Sequence, residues 1–198
     1  MRKILAPLAV ALLAMSTQAH AGWRTFVAQG HVTIGTPTAP SGAKVTIQFS
    51  FDDDIGEPNL ASYGDGKGSG YSTAAYGFAT EVTMKVNGHV MTAANLRIDI
   101  INNAGSNVED AFSVYAYPMV MDGTTFPEGG FGFYLGSGPG HTKALKSTEL
   151  PRKIKVEEFD SPGFQYGFAQ TDGSSNGGLL NVVIDSVQEV HSRKGGKD

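Results

Sequence analysis

The densest group of chemically capable side chains is Asp52-Asp53-Asp54, followed by Glu57 and Asp65 in a stretch rich in glycine and serine. Hard cations such as Ca2+ take several carboxylate and carbonyl oxygens from a flexible loop, which makes Asp52, Asp53 and Asp54 candidate Ca2+ ligands. The spacing is not the alternating pattern of an EF-hand. Aspartates at a strand end also cap turns and discourage edge pairing, so a structural role competes with the metal site. Glu81, Asp99, Asp185 and Glu189 fall on expected strands and are the candidates for acid–base work on a glycosidic bond, which needs two carboxyl groups about 5–10 Å apart. Tyr63 and Tyr71, in or beside the same loop as the aspartates, are candidate ligand-binding residues. Tyr115, Tyr117 and Tyr134 could likewise stack on sugars, although tyrosine at half-exposed strand positions is also ordinary core rim.

Other motifs carry less. Gly173-Ser174-Ser175-Asn176-Gly177 fits G-x-S-x-G, but a nucleophile elbow needs a following helix, and Leu179–Val190 reads as a strand. His31, His89, His141 and His191 are far apart, with no H-x-H or H-E-x-x-H spacing that would favour zinc. The Gly64–Gly70 stretch lacks the spacing and the helix of a phosphate loop. No catalytic residue can be named from sequence, and no cofactor is implied beyond the candidate Ca2+.

The elements that must hold these residues are strands. Ala43, Val45, Ile47, Phe49 and Phe51 alternate with Lys44, Thr46, Gln48 and Ser50, the period of two that marks a half-buried strand. Glu81–Val86 repeats the pattern, Asn87-Gly88 supplies a type I′ turn, and His89–Thr92 returns. Further strands are expected at Phe26–Ile34, Leu96–Ile101, Ala111–Val120, Phe131–Leu135, Phe164–Ala169 and Leu179–Val190, with Ile154 and Val156 on one more. Thr142–Leu150, stopped by Pro151, is the one weak helical candidate. Asp52–Thr73, Asp122–Gly130 and Gly136–Gly140 break the rhythm as loops. Tyr76-Gly77-Phe78-Ala79 recurs as Tyr166-Gly167-Phe168-Ala169, an echo too short to establish a duplication. Many short strands with one polar face predict an all-β antiparallel sandwich of jelly-roll type, with a closed barrel as the alternative.

The first 21 residues have the form of a signal peptide: basic Arg2-Lys3, apolar Ile4–Met15, and a small-x-small site at Ala19-His20-Ala21. Export to the periplasm or beyond, with cleavage after Ala21, is therefore expected. One domain over residues 22–190 and a disordered polar tail over 191–198 would follow. The apolar run is shorter than the roughly 20 residues of a membrane-spanning helix, so no transmembrane anchor is expected. The formal net charge of the chain is −4, and loss of Arg2 and Lys3 makes it more negative, which argues against nucleic acid and anionic lipid as partners. The chain has no cysteine, so disulfides and thiolate chemistry are excluded.

Phe49-Ser50-Phe51-Asp52, Ser62-Tyr63-Gly64, Val86-Asn87-Gly88, Ile101-Asn102-Asn103 before Asp110, and a closing Gly-Gly-Leu-Leu-Asn-Val strand ending at Asp185-Ser186-Val187 are a further group of features. Together they resemble exported proteobacterial β-sandwich ectodomains of the PEP-CTERM-associated type. The sorting tail of that group, Val-Pro-Glu-Pro with a hydrophobic span and an arginine cluster, is not present. The resemblance implies an association with the cell exterior and its polysaccharide matrix, and it transfers no catalytic residue.

The resulting expectation is a non-catalytic binding or matrix-associated protein, with extracellular polysaccharide or a surface protein as partner. The Asp52–Thr73 and Asp122–Gly130 loops would be its working surface. The alternatives are a glycan-active hydrolase or lyase using carboxylates on a concave sheet face, and a structural subunit that assembles through a strand edge.

Overall fold

Alternation decides the architecture. In β2 (Lys44–Asp52) Val45, Ile47, Phe49 and Phe51 are buried while the residues between them are not, as the period of two requires. The computed structural model describes residues 22–35, 39–53, 59–61, 72–102, 110–138, 144–159, 165–170 and 178–190. The other strands within them are β1 (Trp23–Ile34), β3 (Asn59–Ala61), β4 (Ser72–Phe78), β5 (Val82–Val86), β6 (His89–Asn102) and β7 (Ala111–Met121). They are followed by β8 (Thr124–Phe126), β9 (Gly130–Gly136), β10 (Gln165–Gln170) and β11 (Gly178–Glu189). Every pairing is antiparallel.

The fold is all-β and sandwich-like, as the sequence predicts, but its connections are not those of a jelly roll. The main pairings are β1–β2, β2–β5, β5–β6, β6–β7, β7–β9, β9–β10, β10–β11 and β11–β1, so neighbours follow chain order except where the β3–β4 hairpin and β8 are passed over. The β3–β4 hairpin attaches to the second half of β6, and β8 to the end of β7. Two-residue turns close the β5–β6 and β7–β8 hairpins. Asn87 and Gly88 both take positive φ, as do Asp122 and Gly123, and such two-residue turns force each strand back beside the last.

Opposite walls touch through their side chains. Phe49 on β2 and Phe133 on β9 share no pairing, yet their ring centroids lie 5.7 Å apart. Phe26, Phe49 and Phe51 stack on one wall, and Phe112 meets Phe133 on the other. These rings fill the space between the walls, which gives the core its sandwich character. The three-residue strands β3 and β8 stand at the ends of the strand order, and strands that short offer little edge to another chain.

Several local expectations are corrected. His89–Thr92 and Leu96–Ile101 are parts of one strand, β6. The Asp52–Thr73 and Asp122–Gly130 stretches contain β3 and β8. The described part of the helical candidate, residues 144–150, holds no helix. Ile154 and Val156 are buried without being in a strand, and a 3₁₀ turn covers Val156–Glu158. This segment crosses the end of the sandwich and sends Leu145, Ile154, Val156 and Phe159 into the core, so its alternation reflects a chain lying on apolar surface rather than sheet pairing. The four-residue echo does not mark equivalent strands: Gly77 is exposed on β4, between buried Tyr76 and Phe78, whereas Gly167 is buried on β10.

Polar clasps hold the crossing segment. Buried Asp110 accepts the Leu145 N–H through Oδ2 at 3.0 Å, and the Tyr76 hydroxyl donates to the Thr148 carbonyl at 2.8 Å. Arg24 donates to the carbonyls of Pro151 and Arg152. It also donates Nε and Nη2 to the two Glu189 carboxylate oxygens, both at 2.9 Å, and lies over the Phe26 ring. The hydrogen bonds to Glu189 raise the Arg24 pKa against the opposing effect of burial.

Candidate ligand-binding face

The outward residues of β6, β7 and β9 gather the polar and aromatic groups that the core rejects. Leu96, Ile98 and Ile100 are buried, which turns Arg97 and Asp99 outward. On β7 the buried Val114 and Ala116 turn Tyr115 and Tyr117 the same way. Register sets Arg97 opposite Tyr115, Asp99 opposite Ser113, and Ser113 opposite Tyr134 of β9. Sequence spacing alone could put Tyr115 with Tyr117 and Arg97 with Asp99. The pairing of β6 with β7 is what brings the two pairs to one surface.

Tyr115 and Tyr117 stack with centroids 5.3 Å apart and planes 28° apart, a geometry that aromatic pairs favour. Tyr117 is 42% exposed. The strand beside them lets the rings lie low. A Cβ at Gly130 would come within 2.6 Å of the Tyr115 ring and hydroxyl, and one at Gly136 within 2.6 Å of the Tyr134 ring. Glycine at these two positions therefore allows tyrosine to cover the sheet surface, a close approach that a side chain would block. Burial of the Tyr115 hydroxyl, with Tyr117 and Glu128 nearby, raises its pKa, so the ring stays neutral well above neutral pH.

The polar part of the face is ordered too. Arg97 Nε lies 2.9 and 3.0 Å from the two Asp99 carboxylate oxygens, and Asn95 donates its side-chain N–H to the Tyr117 carbonyl at 3.1 Å. At Asn95 and Tyr117 the inward–outward alternation slips by one in both strands, since Ala93 and Met119 beyond them are buried. The sheet turns a corner here. A shallow concavity of about 300 Å3 opens on its outer side, lined by Thr80, Glu81, Thr92, Ala94, Pro118 and Val120 among others.

The remaining sequence candidates separate. Asp52 ends β2 opposite Trp23, and the Asp53 carboxylate lies 3.8 Å from Arg24 Nη1, already facing a cation. Asp54, Tyr63, Tyr71, His141, His191 and the Gly173–Gly177 turn lie outside the described residues. Among the described residues no three His, Cys, Asp or Glu side chains gather as a metal site. Of the four candidate carboxylates, Asp99 pairs with Arg97, Asp185 lies 3.0 Å from His31, Glu189 grips Arg24, and Glu81, which precedes β5 rather than lying on it, lines the concavity. The second histidine contact joins His89 to Asp122 at 2.7 Å, and that hydrogen bond holds the Asp122 carboxyl below its ordinary range.

Among the described residues no helix is long and apolar enough to cross a membrane. Comparison with known proteins gives no match to a family, to a curated protein or to a solved structure.

Proposed function

We propose that this chain is an exported, non-catalytic carbohydrate-binding protein, and that the outward surface of β6, β7 and β9 takes a glycan of the cell exterior. The observation that carries the reading is the exposed Tyr117 ring stacked on half-buried Tyr115, beside the Arg97–Asp99 ion pair. A pyranose offers an apolar C–H face and a rim of hydroxyls. Flat tyrosine rings suit the first. A guanidinium with only donors and a carboxylate with only acceptors suit the second, because each hydroxyl can both give and receive a hydrogen bond. The Arg97–Asp99 contact and the Asn95 hydrogen bond to the Tyr117 carbonyl brace the face, which lowers the conformational entropy lost on binding.

Export rests on the leader-like first 21 residues, and the matrix association on the family resemblance described above. N-terminal sequencing of the protein recovered from outside the cytoplasm should begin Gly22-Trp23-Arg24. An intact Met1 there would refute the leader. Probing a glycan array with the purified protein tests the binding role: retention of extracellular polysaccharides that Tyr117→Ala weakens is the expected outcome. Equal retention by both proteins would remove this face from the account.

A further inference from the structure

Residues 22–198 contain four methionines, Met84, Met91, Met119 and Met121, and all four occupy one corner of the fold. Met84 on β5 lies opposite Met91 on β6, and Met91 lies opposite Met121 on β7. Three thioethers thus share one row across three adjacent strands. Met84, Met91 and Met119 are buried, and Met121 is half-buried against the same core. Directly opposite side chains have Cβ atoms about 4.5–5.5 Å apart, and methionine's unbranched, flexible chain lets neighbouring sulfurs turn toward a common point.

The rim of this corner adds a nitrogen donor. His89 lies two residues before Met91 in β6, on the face that Met91 and Ala93 present inward, next to the Asn87-Gly88 turn. Its Nδ1 is 2.7 Å from Asp122 Oδ2. Asp122 is held in turn by Val90: its N–H donates to the Val90 carbonyl at 3.3 Å, and its Oδ1 accepts the Val90 N–H at 3.4 Å. A carboxylate on one imidazole nitrogen fixes the tautomer and leaves the other nitrogen's lone pair to a metal, the usual support of histidine ligands. It also supplies a negative charge close to a cation that would otherwise sit among neutral sulfurs.

We propose that Met84, Met91 and Met121, with His89 Nε2, form a binding site for a soft monovalent metal ion, Cu(I), for which Ag(I) is a redox-inert substitute. Thioether sulfur selects soft ions, whereas Ca2+ and Mg2+ take oxygen, so this site is distinct in chemistry from any acidic loop. Met121 and His89 are its half-buried members, and the ion enters from the turn end of the corner past them. The inference is independent of glycan binding.

The test uses the full chain labelled with 13C at the methionine methyl groups and titrated with Ag(I) in chloride-free buffer. The Met84, Met91 and Met121 signals should shift and saturate at one equivalent, while that of free 13C-methyl methionine added as an internal reference stays in place. Met91→Leu, which keeps the core volume, should remove most of the binding without lowering the melting midpoint of the metal-free protein by more than a few degrees. Asp122→Asn should weaken binding about 10-fold or more, as loss of a supporting carboxylate does, and Cu(I) competition against a chromogenic chelator should give the same order. The proposal is overturned if the three core signals move no more than that of the free methionine. It is equally overturned if Met91→Leu and Met121→Leu bind as the wild type does. Should Met91→Leu fail to fold, the half-buried Met121→Leu and the wild-type titration decide the matter.

Discussion

Replacing Phe133 by alanine tests whether the two walls of the sandwich meet as described. Phe133 is fully buried, 5.7 Å from Phe49 across the core and 6.1 Å from Phe112 on the neighbouring strand. A buried Phe→Ala change costs about 3–5 kcal/mol through lost transfer energy and the cavity left behind, of which each ring pair contributes about 0.5–1.5 kcal/mol. With a urea m-value of about 2 kcal/mol/M, typical of a small domain, the unfolding midpoint should fall by about 2 M. The fluorescence of Trp23, the only tryptophan in the chain, gives the signal. Ile34→Ala at a position 67% exposed is the control and should stay within about 0.5 kcal/mol of wild type. The sharper measurement is a double-mutant cycle of Phe49→Ala and Phe133→Ala. Residues in contact couple by about 0.5–3 kcal/mol, whereas separate sites add to within about 0.3–0.5 kcal/mol. Additive losses would refute the contact between opposite walls.

Other perturbations address the clasps and the binding face. Arg24→Gln removes both hydrogen bonds to Glu189 and those to the Pro151 and Arg152 carbonyls; because the cluster is partly open to solvent, the loss should be roughly 2 kcal/mol by urea unfolding. Amide exchange should also quicken first in the 144–159 segment, which the same side chain anchors. The Asp122 carboxyl has its pKa lowered by His89, so its contribution to stability is complete above the ordinary carboxylate range and is lost as pH falls through the lowered folded value. Asp122→Asn should therefore flatten the acid limb of a melting-temperature profile while leaving the neutral plateau little changed. Gly130→Ala should displace the Tyr115 ring, since the new methyl would lie 2.6 Å from it; glycan retention should fall while the fold, read by far-UV circular dichroism, persists.

The fold was legible in sequence wherever one face of a strand is buried. Val45, Ile47, Phe49 and Phe51, or Leu96, Ile98 and Ile100, announce their strands because a period of two leaves no other arrangement that hides them. The Asn87-Gly88 turn was readable for the same local reason. Connectivity was not, because alternation says which side of a strand is buried but not which strand lies beside it. The strands β3, β4 and β8 were missed: two are three residues long, and β4 is built largely of small residues, Ser72 to Ala75. Ile154 and Val156 misled, since a segment crossing the end of a core alternates much as a strand does. The candidate face was half legible. Tyr115 and Tyr117 could be seen two residues apart, but the low-lying Tyr115 ring depends on Gly130 in a different strand, and the meeting of the two tyrosines with Arg97 and Asp99 depends on register. The methionine corner was hidden for the same reason, its members being spread from Met84 to Met121.

The most direct test of the account is the affinity of a glycan selected on the array for three proteins, wild type, Tyr115→Ala and Tyr117→Ala, by isothermal titration calorimetry, with circular dichroism to confirm the fold of each. Loss of one stacking ring at an exposed site is worth about 1–3 kcal/mol by analogy with aromatic–base stacking, so each variant should bind about 5- to 150-fold more weakly, with Tyr117→Ala leaving stability nearly unchanged. Wild-type affinity in a folded Tyr117→Ala protein would contradict the claim that this tyrosine face is where the chain meets its ligand.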